Sequence, residues 1–96
     1  MELQHNTVRE ENKLLLRGIT KHFPKPYKYA KRIVERLGEK GVIVTATQVY
    51  TCVGGDTYNA DIAKEINQLG KEYLAEQIAL RDAMKVVNAG LEEVFA

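Results

Sequence analysis

The spacing of apolar residues across residues 44–55, VTATQVYTCVGG, is the feature that most constrains the fold. Its valines, threonines and tyrosine give the stretch the composition of a β-strand. Val49, Cys52 and Val53 are nevertheless spaced i, i+3, i+4, which places them on one face of a helix. Thr45 is a good N-cap residue and a pair of glycines follows, so the stretch is predicted to form a short helix over residues 45–53. Cys52 is then expected to be a small buried hydrophobic residue.

Helical spacing and helix-ending residues in the rest of the chain predict an all-α fold. The first helix is expected over about residues 8–19, and the second over about residues 27–37, where Gly38 is placed to end it. A later helix, capped by Thr57 or Asn59, is expected to end at residue 69, and Gly70 is expected to separate it from a last helix that starts at residue 71. Residues 1–96 are therefore predicted to form one small helical bundle. A short strand at residues 42–45 is the β alternative.

Length and composition indicate one globular domain in a reducing compartment. A chain of 96 residues can bury a modest core without metals or disulfides, and its single cysteine allows no internal disulfide. No apolar run approaches the roughly 20 residues of a membrane span. The first 16 residues lack the basic and apolar segments of a signal peptide. We therefore expect a cytoplasmic protein.

The net charge of +1 conceals an uneven distribution. Residues 17–53 carry eight Lys/Arg and two acidic residues, a net charge of +6. Residues 54–96 carry four Lys/Arg and eight acidic residues, a net charge of −4. The basic part is the candidate for a surface that binds a polyanion, although charges also cluster on ordinary solvated faces.

The residues that follow the second predicted helix form an ordered pattern. Beyond a glycine, the apolar residue and threonine of Val44-Thr45 open the next helix, and an inward valine stands four residues after the threonine, at Val49. An inward residue follows at Cys52, then the polar loop GGDTYN. The helix after that loop carries Ile62, Ala63 and Ile66 on one face. This order resembles the helix-turn-helix DNA-binding domains of the lambda-repressor-like and lactose-repressor-like group, over about residues 27–69.

The turn departs from the pattern of that group. There the turn glycine leads at once to the apolar-Ser/Thr pair, whereas here residues 39–43 intervene after Gly38. If Gly41 were the turn glycine instead, Arg36 and Lys40 would take inward positions, which is unfavourable for charged side chains. Gly38 is therefore preferred, with an enlarged turn.

The resemblance implies sequence-specific binding of double-stranded DNA by a small transcriptional regulator that reads the major groove with helix 45–53. It places at the base edges Thr45, Ala46, Thr47, Gln48, Tyr50 and Thr51. It places at the phosphates Lys25, Lys28, Lys31 and Arg32. Thr hydroxyls can donate to or accept from several bases, and Ala and Thr methyls can contact the thymine methyl. The helix contains no arginine, so the commonest contact to guanine is missing and modest specificity is expected.

Catalysis finds no support in the sequence. His5 and His22 are 17 residues apart, and no Cys, His and Asp residues have the spacing of metal ligands. The glycine pair at residues 54–55 lacks the Lys-Ser/Thr of a phosphate-binding loop. We therefore expect no enzyme, cofactor, metal or small-molecule substrate.

The C-terminal helix carries apolar residues at the heptad spacing 4, 3, 4, 3. These residues, here called the C-terminal seam, are Leu80, Met84, Val87, Leu91 and Val94. Two heptads are short for a coiled coil, so the seam is expected either to pack on the first helix of the same chain or to form a homodimer. The alternative function is a non-catalytic helical protein that binds other proteins, such as a phage structural or accessory protein.

Overall fold

The computed structural model describes the backbone of residues 2–96 and the side chains of residues 10–96. It contains α1 (Glu2–Thr20), a 3-10 turn (Lys25–Tyr27), α2 (Tyr29–Glu39), α3 (Ala46–Gly54) and α4 (Ala60–Phe95). The predicted small all-α bundle is confirmed, and residues 42–45 form an extended connection without a strand. No helix in the described range is long and apolar enough to cross a membrane.

One core joins the first half of α4 to the other three helices. Its buried apolar residues are Leu16, Phe23, Ala30, Ile33, Leu37, Val44, Val49, Cys52, Val53, Ile62, Ile66 and Leu69. α2, α3 and α4 each contribute residues spaced three or four apart, as an amphipathic helix must when it packs with one face. The inward face of α3 that the sequence predicts is confirmed.

α1 begins well before residue 8, where the sequence predicts its start. Thr7 and Glu10 have the spacing of a capping box, which favours a start at residue 8, but the helix runs through both positions. No glycine or proline occurs in residues 2–17, so nothing in the chain stops the helix at Thr7.

α2 ends at Glu39, and the chain turns at Gly41 rather than at Gly38, so the predicted turn glycine is wrong. Gly38 is helical, whereas Gly41 has a φ of 82°. Val42 N donates to Leu37 O at 2.8 Å and Gly41 N donates to Gly38 O at 3.0 Å, the two hydrogen bonds of a Schellman motif. The connection from α2 to α3 therefore spans residues 40–45 and is longer than a minimal helix-turn-helix turn.

A buried carboxylate explains why the chain turns at Gly41. Arg36 is half-buried and Lys40 is exposed, and both side chains reach Glu65 of α4, which is 3% exposed. Arg36 Nε lies 2.6 Å from one carboxylate oxygen, and Lys40 Nζ lies 2.6 Å from the other. Arg36 also binds Glu72 at 2.6 Å. The argument against Gly41 fails because Lys40 stays exposed and both charges have a carboxylate partner on another helix.

α4 is one continuous helix of 36 residues, so the predicted break at Gly70 is wrong. Asn59 caps it, since its Oδ1 accepts a hydrogen bond from Ile62 N at 3.2 Å. A Cβ atom at residue 70 would lie 2.8 Å from Ile19 Cγ2 of α1. Gly70 therefore allows close approach of two helices rather than ending one.

The C-terminal seam does not pack on α1, which removes one of its two predicted roles. All five seam residues are exposed, by 51% to 76%. The reason is the direction of α1: a Cβ at Gly55 would touch Lys13, and one at Gly70 would touch Ile19, so α1 runs in the same sense as α4 and ends beside its middle. The seam lies beyond that end.

Alanine replacements of the two glycines around the end of α2 should have opposite effects. A Cβ at Gly38 meets nothing within 4 Å, so Gly38→Ala should raise the free energy of unfolding by up to about 1 kcal/mol. Gly41 has a φ of 82°, so Gly41→Ala should lower the free energy of unfolding by about 1–2 kcal/mol. Urea unfolding of the two variants measures both changes. Two changes of the same sign would contradict the turn at Gly41.

The Glu65 ion pairs should make the fold sensitive to acid. Burial raises the pKa of this carboxyl, but hydrogen bonds from Lys40 and Arg36 outweigh burial and hold the pKa below its ordinary 4.5. The stabilisation is therefore complete above pH 4.5 and is lost as the pH falls through the lower pKa of the folded state.

Glu65→Gln should lower the free energy of unfolding by about 2 kcal/mol at neutral pH and should flatten its fall in acid. Glu72→Gln is the matched control, because Glu72 is 45% exposed and binds Arg36 alone. This control should cost under about 1 kcal/mol. Thermal melts from neutral pH to about pH 3 test both variants. An unchanged acid profile for Glu65→Gln would contradict the assignment.

Candidate nucleic-acid interface

α3 begins at a capping box that fixes its first turn. Gln48 N donates to Thr45 Oγ1 at 3.2 Å, and Thr45 N donates to Gln48 Oε1 at 2.8 Å. The predicted N-cap at Thr45 is confirmed. Gln48 is one of the predicted base-reading residues, but its side chain accepts the hydrogen bond from the backbone N–H at the start of its own helix. To contact a base, the side chain would have to break that hydrogen bond.

The two faces of α3 differ sharply in burial. Val49, Cys52 and Val53 are at most 8% exposed, and the Cys52 thiol contacts the core as a small hydrophobic residue. The predicted outward residues Thr45, Ala46, Thr47, Gln48 and Tyr50 are all exposed, and Thr51 is half-buried. The helix therefore presents small polar and apolar side chains and no charged one along its outer face.

The Thr51 hydroxyl is less available for contact with a base than the sequence suggests. Its hydroxyl donates to Gln48 O at 3.1 Å and lies 3.2 Å from Thr57 Oγ1. These contacts hold the loop after α3 against the helix. Among the predicted base-reading residues beyond the cap, Ala46, Thr47 and Tyr50 are the ones with exposed side chains outside these local hydrogen bonds.

One surface depression joins the start of α3 to three of the predicted phosphate-binding lysines. It has a volume of about 370 Å³. Ala46 and Tyr50 border it from α3; from the 3-10 turn and α2 it is bordered by Lys25, Lys28 and Lys31. The three lysines are exposed and form no ion pair with any carboxylate among the described side chains. The structure thus brings residues from both predicted sets together.

A chain of aromatic rings holds this surface in place. The Tyr50 ring lies 5.8 Å from Tyr29, and Tyr29 lies 5.7 Å from the buried Phe23. Phe23 stacks on Tyr27 at 5.0 Å and meets Tyr73 of α4 edge-on at 5.4 Å. Burial raises the pKa of the Tyr29 phenol above its ordinary value, so this ring is neutral at physiological pH. Aromatic contacts of this kind fix the 3-10 turn relative to α3 and α4.

Arg32, the fourth predicted phosphate-binding residue, lies on the far side of the lysines. Its Nε donates to Tyr27 O at 2.7 Å, and its guanidinium lies 4.0 Å above the Tyr27 ring. It borders a second shallow depression together with Lys28, Lys31 and one acidic residue, Glu35. Those two lysines border both depressions, so the four cations form one continuous basic surface.

Lys28 has an unusual backbone conformation. It precedes α2 with φ 52° and ψ 59°, the left-handed region that costs most residues about 1–2 kcal/mol. It is the one non-glycine residue with positive φ in the described part of the chain. The start of α2 beside it has no side-chain cap and no acidic residue in its first turn. The positive end of the helix dipole is therefore open to an anion at the lysines.

Two of the eight cations in the basic segment are bound by carboxylates of α4 instead of bordering this surface. Arg36 and Lys40 are neutralised by Glu65 and Glu72 of α4, and these carboxylates raise the pKa of Arg36 further. Sequence reasoning missed this cluster. The available signal was Glu65 itself, a lone acidic residue three positions after Ile62 and four before Leu69 on the apolar stripe of α4.

The described residues contain no group of three His, Cys, Asp or Glu side chains that could hold a metal ion. His22 borders an apolar groove between α1 and α4, and His5 lies outside the residues whose side chains are described.

The candidate interface consists of Ala46, Thr47 and Tyr50 on α3, together with the basic surface beside them. No family model, no curated protein and no solved structure matches this chain.

Proposed function

We propose that this chain binds double-stranded DNA with α3 in the major groove, and that it acts as a small transcriptional regulator. The observation that supports the proposal is the depression shared by Ala46, Tyr50 and three lysines that pair with no carboxylate among the described side chains. A helix that enters the groove needs cations beside it, because the phosphate backbone flanks the base edges on both sides.

The outer face of α3 suits contact with base edges. The major groove, about 12 Å wide, admits an α-helix, and small side chains let the helix approach the bases closely. Thr47 offers a hydroxyl and a methyl group, and Ala46 offers a methyl group that fits the thymine methyl. Tyr50 stands at the boundary between the bases and the lysines, where its ring can contact the sugar-phosphate edge.

The basic surface suits phosphates. Lys25, Lys28 and Lys31 provide mobile ammonium groups, and Arg32 provides a guanidinium that Tyr27 already orients. The uncapped start of α2 adds backbone N–H groups and the positive end of the helix dipole. These contacts carry no sequence information, so they supply affinity for all DNA.

Binding to random duplex DNA should depend on the position of the lysines and not only on net charge. Lys28→Ala combined with Lys31→Ala should weaken binding about tenfold or more and reduce the dependence of log affinity on log salt by about 0.9 per lost contact. Lys64→Ala combined with Lys71→Ala removes the same charge from exposed positions on α4 and should change binding little. Fluorescence anisotropy across salt concentrations measures both effects.

Wild-type protein that fails to bind DNA at low salt would falsify the proposal and favour a protein-binding role. Equal losses for the two double variants would mean that only net charge matters. The α3 assignment has its own test in the same assay: Thr47→Ala and Tyr50→Ala should alter the ranking of sequences selected from a random pool, and Lys28→Ala should not.

Lys28 allows charge and backbone strain to be separated. Lys28→Gly and Lys28→Ala remove the same ammonium group, so both should weaken DNA binding equally. Glycine accepts a φ of 52° without strain, so Lys28→Gly should be more stable than Lys28→Ala by about 1 kcal/mol. Thermal melts and anisotropy on the two variants measure stability and binding. Binding that follows stability rather than charge would contradict the phosphate role of Lys28.

A further inference from the structure

A single apolar stripe runs along nearly the whole length of α4. In the first half it consists of Ile62, Ile66, Leu69 and Tyr73, which pack into the core. The C-terminal seam continues it at helical spacing, after one polar position at Gln77. The same face of the helix is therefore buried in the first half and exposed to solvent in the second.

The exposed half is long and more apolar than a solvated helix requires. α4 extends 21 residues beyond Leu74, and every one of them is exposed. The seam residues lie in a row on this extension, with exposures of 51% to 76%. A contiguous apolar row of this kind on a soluble helix marks an interaction surface.

We propose that the partner is a second copy of this chain, and that the two copies of α4 pair in antiparallel orientation through the C-terminal seam. The proposal is independent of DNA binding, since none of its residues belongs to the interface of α3. It rests on the continuity of the stripe with the core, on the position of that core, and on what the pairing would bury.

The position of the core decides the orientation. The core of each copy covers the stripe as far as Tyr73, on the same face that the seam continues. In a parallel pair the two cores would lie side by side on the facing surfaces and would overlap. In an antiparallel pair each core lies beyond the C-terminal end of the other helix, so the seams can meet.

One antiparallel register aligns the seam residues from Leu80 to Leu91 with one another and leaves Val94 opposite the partner's Gln77. Met84 faces the partner's Val87, and Leu80 faces the partner's Leu91, in the alternation of an a/d seam. Ala83 then lies beside the partner's Gly90, which permits close approach of the two helices. The flanking positions of this register bring no like charges together. A parallel pair would place Glu76 beside the partner's Arg81, which is also favourable. Charge alone therefore does not decide between the two orientations, whereas the position of the core does.

The same register accounts for two further exposed side chains. Phe95 is 80% exposed and Leu74 is 61% exposed. Antiparallel pairing places the partner's Phe95 next to Leu74, at the end of each seam. Leu74 borders an apolar groove of about 480 Å³, whose walls include Ile19 and Tyr73. The groove therefore receives the partner's terminal aromatic ring.

Sedimentation equilibrium without DNA tests the dimer. Wild-type protein should approach twice the mass of the chain with increasing concentration, and Leu91→Glu should sediment as a monomer. Val86→Glu is the matched control: Val86 is 72% exposed and lies about 200° around the helix from Met84, so this variant should remain a dimer. Circular dichroism checks that the core of each variant stays folded. A monomeric wild type, or equal effects of the two glutamates, would overturn the proposal.

Cysteine cross-linking tests the orientation. Leu80→Cys and Leu91→Cys are prepared separately, and the native Cys52 is buried and present in both. On oxidation, a mixture of the two should give a covalent dimer, because residue 80 of one copy faces residue 91 of the other. Either variant alone should give none. Covalent dimers from each variant alone would show parallel pairing and overturn the antiparallel assignment.

Discussion

The carboxylate of Glu65 is the interaction on which the arrangement of the domain depends. An unpaired buried charge costs several kcal/mol. That cost is a large part of the total stability of a small domain. Its two partners, Arg36 and Lys40, stand on successive turns at the end of α2. Both can reach it only if the end of α2 lies against α4, so the ion pairs fix the position of α2 along α4.

The position of α3 follows from that of α2. Because Lys40, the C-cap of α2, must face α4 for the ion pair to form, the chain turns after it at Gly41, and the connection that follows leads to the buried Val44 and the cap at Thr45. The same pairing separates two groups of cations within the basic segment. Arg36 and Lys40 hold the fold, whereas Lys25, Lys28, Lys31 and Arg32 remain on the surface. The charge that the sequence shows as one block therefore has two separate physical roles.

The sequence predicted those features that neighbouring residues decide. The inward face of α3 and its cap depend on residues within a few positions of Thr45, and both are confirmed. The end of α2 depends on Glu65, 29 residues from Arg36, and the unbroken course of α4 at Gly70 depends on Ile19 of another helix. Local signals at Gly38 and Gly70 pointed to helix ends because they contain no information about these distant partners. In the same way, the heptad spacing of the C-terminal seam is visible in the sequence. Only the direction of α1 in the fold shows that α1 does not cover the seam.

The absence of charge on α3 has a consequence for how the proposed DNA binding would respond to its surroundings. The residues of α3 from Ala46 to Gly54 include no ionisable group except the Tyr50 phenol and the buried Cys52 thiol. All electrostatic attraction would then come from side chains that touch no base. Raising the ionic strength would lower the occupancy of every sequence by the same factor, while the ratio between preferred and random sites would stay constant. In such a protein, the ionic strength would control the affinity for DNA. The shape and methyl groups of one uncharged helix would control the choice of sequence.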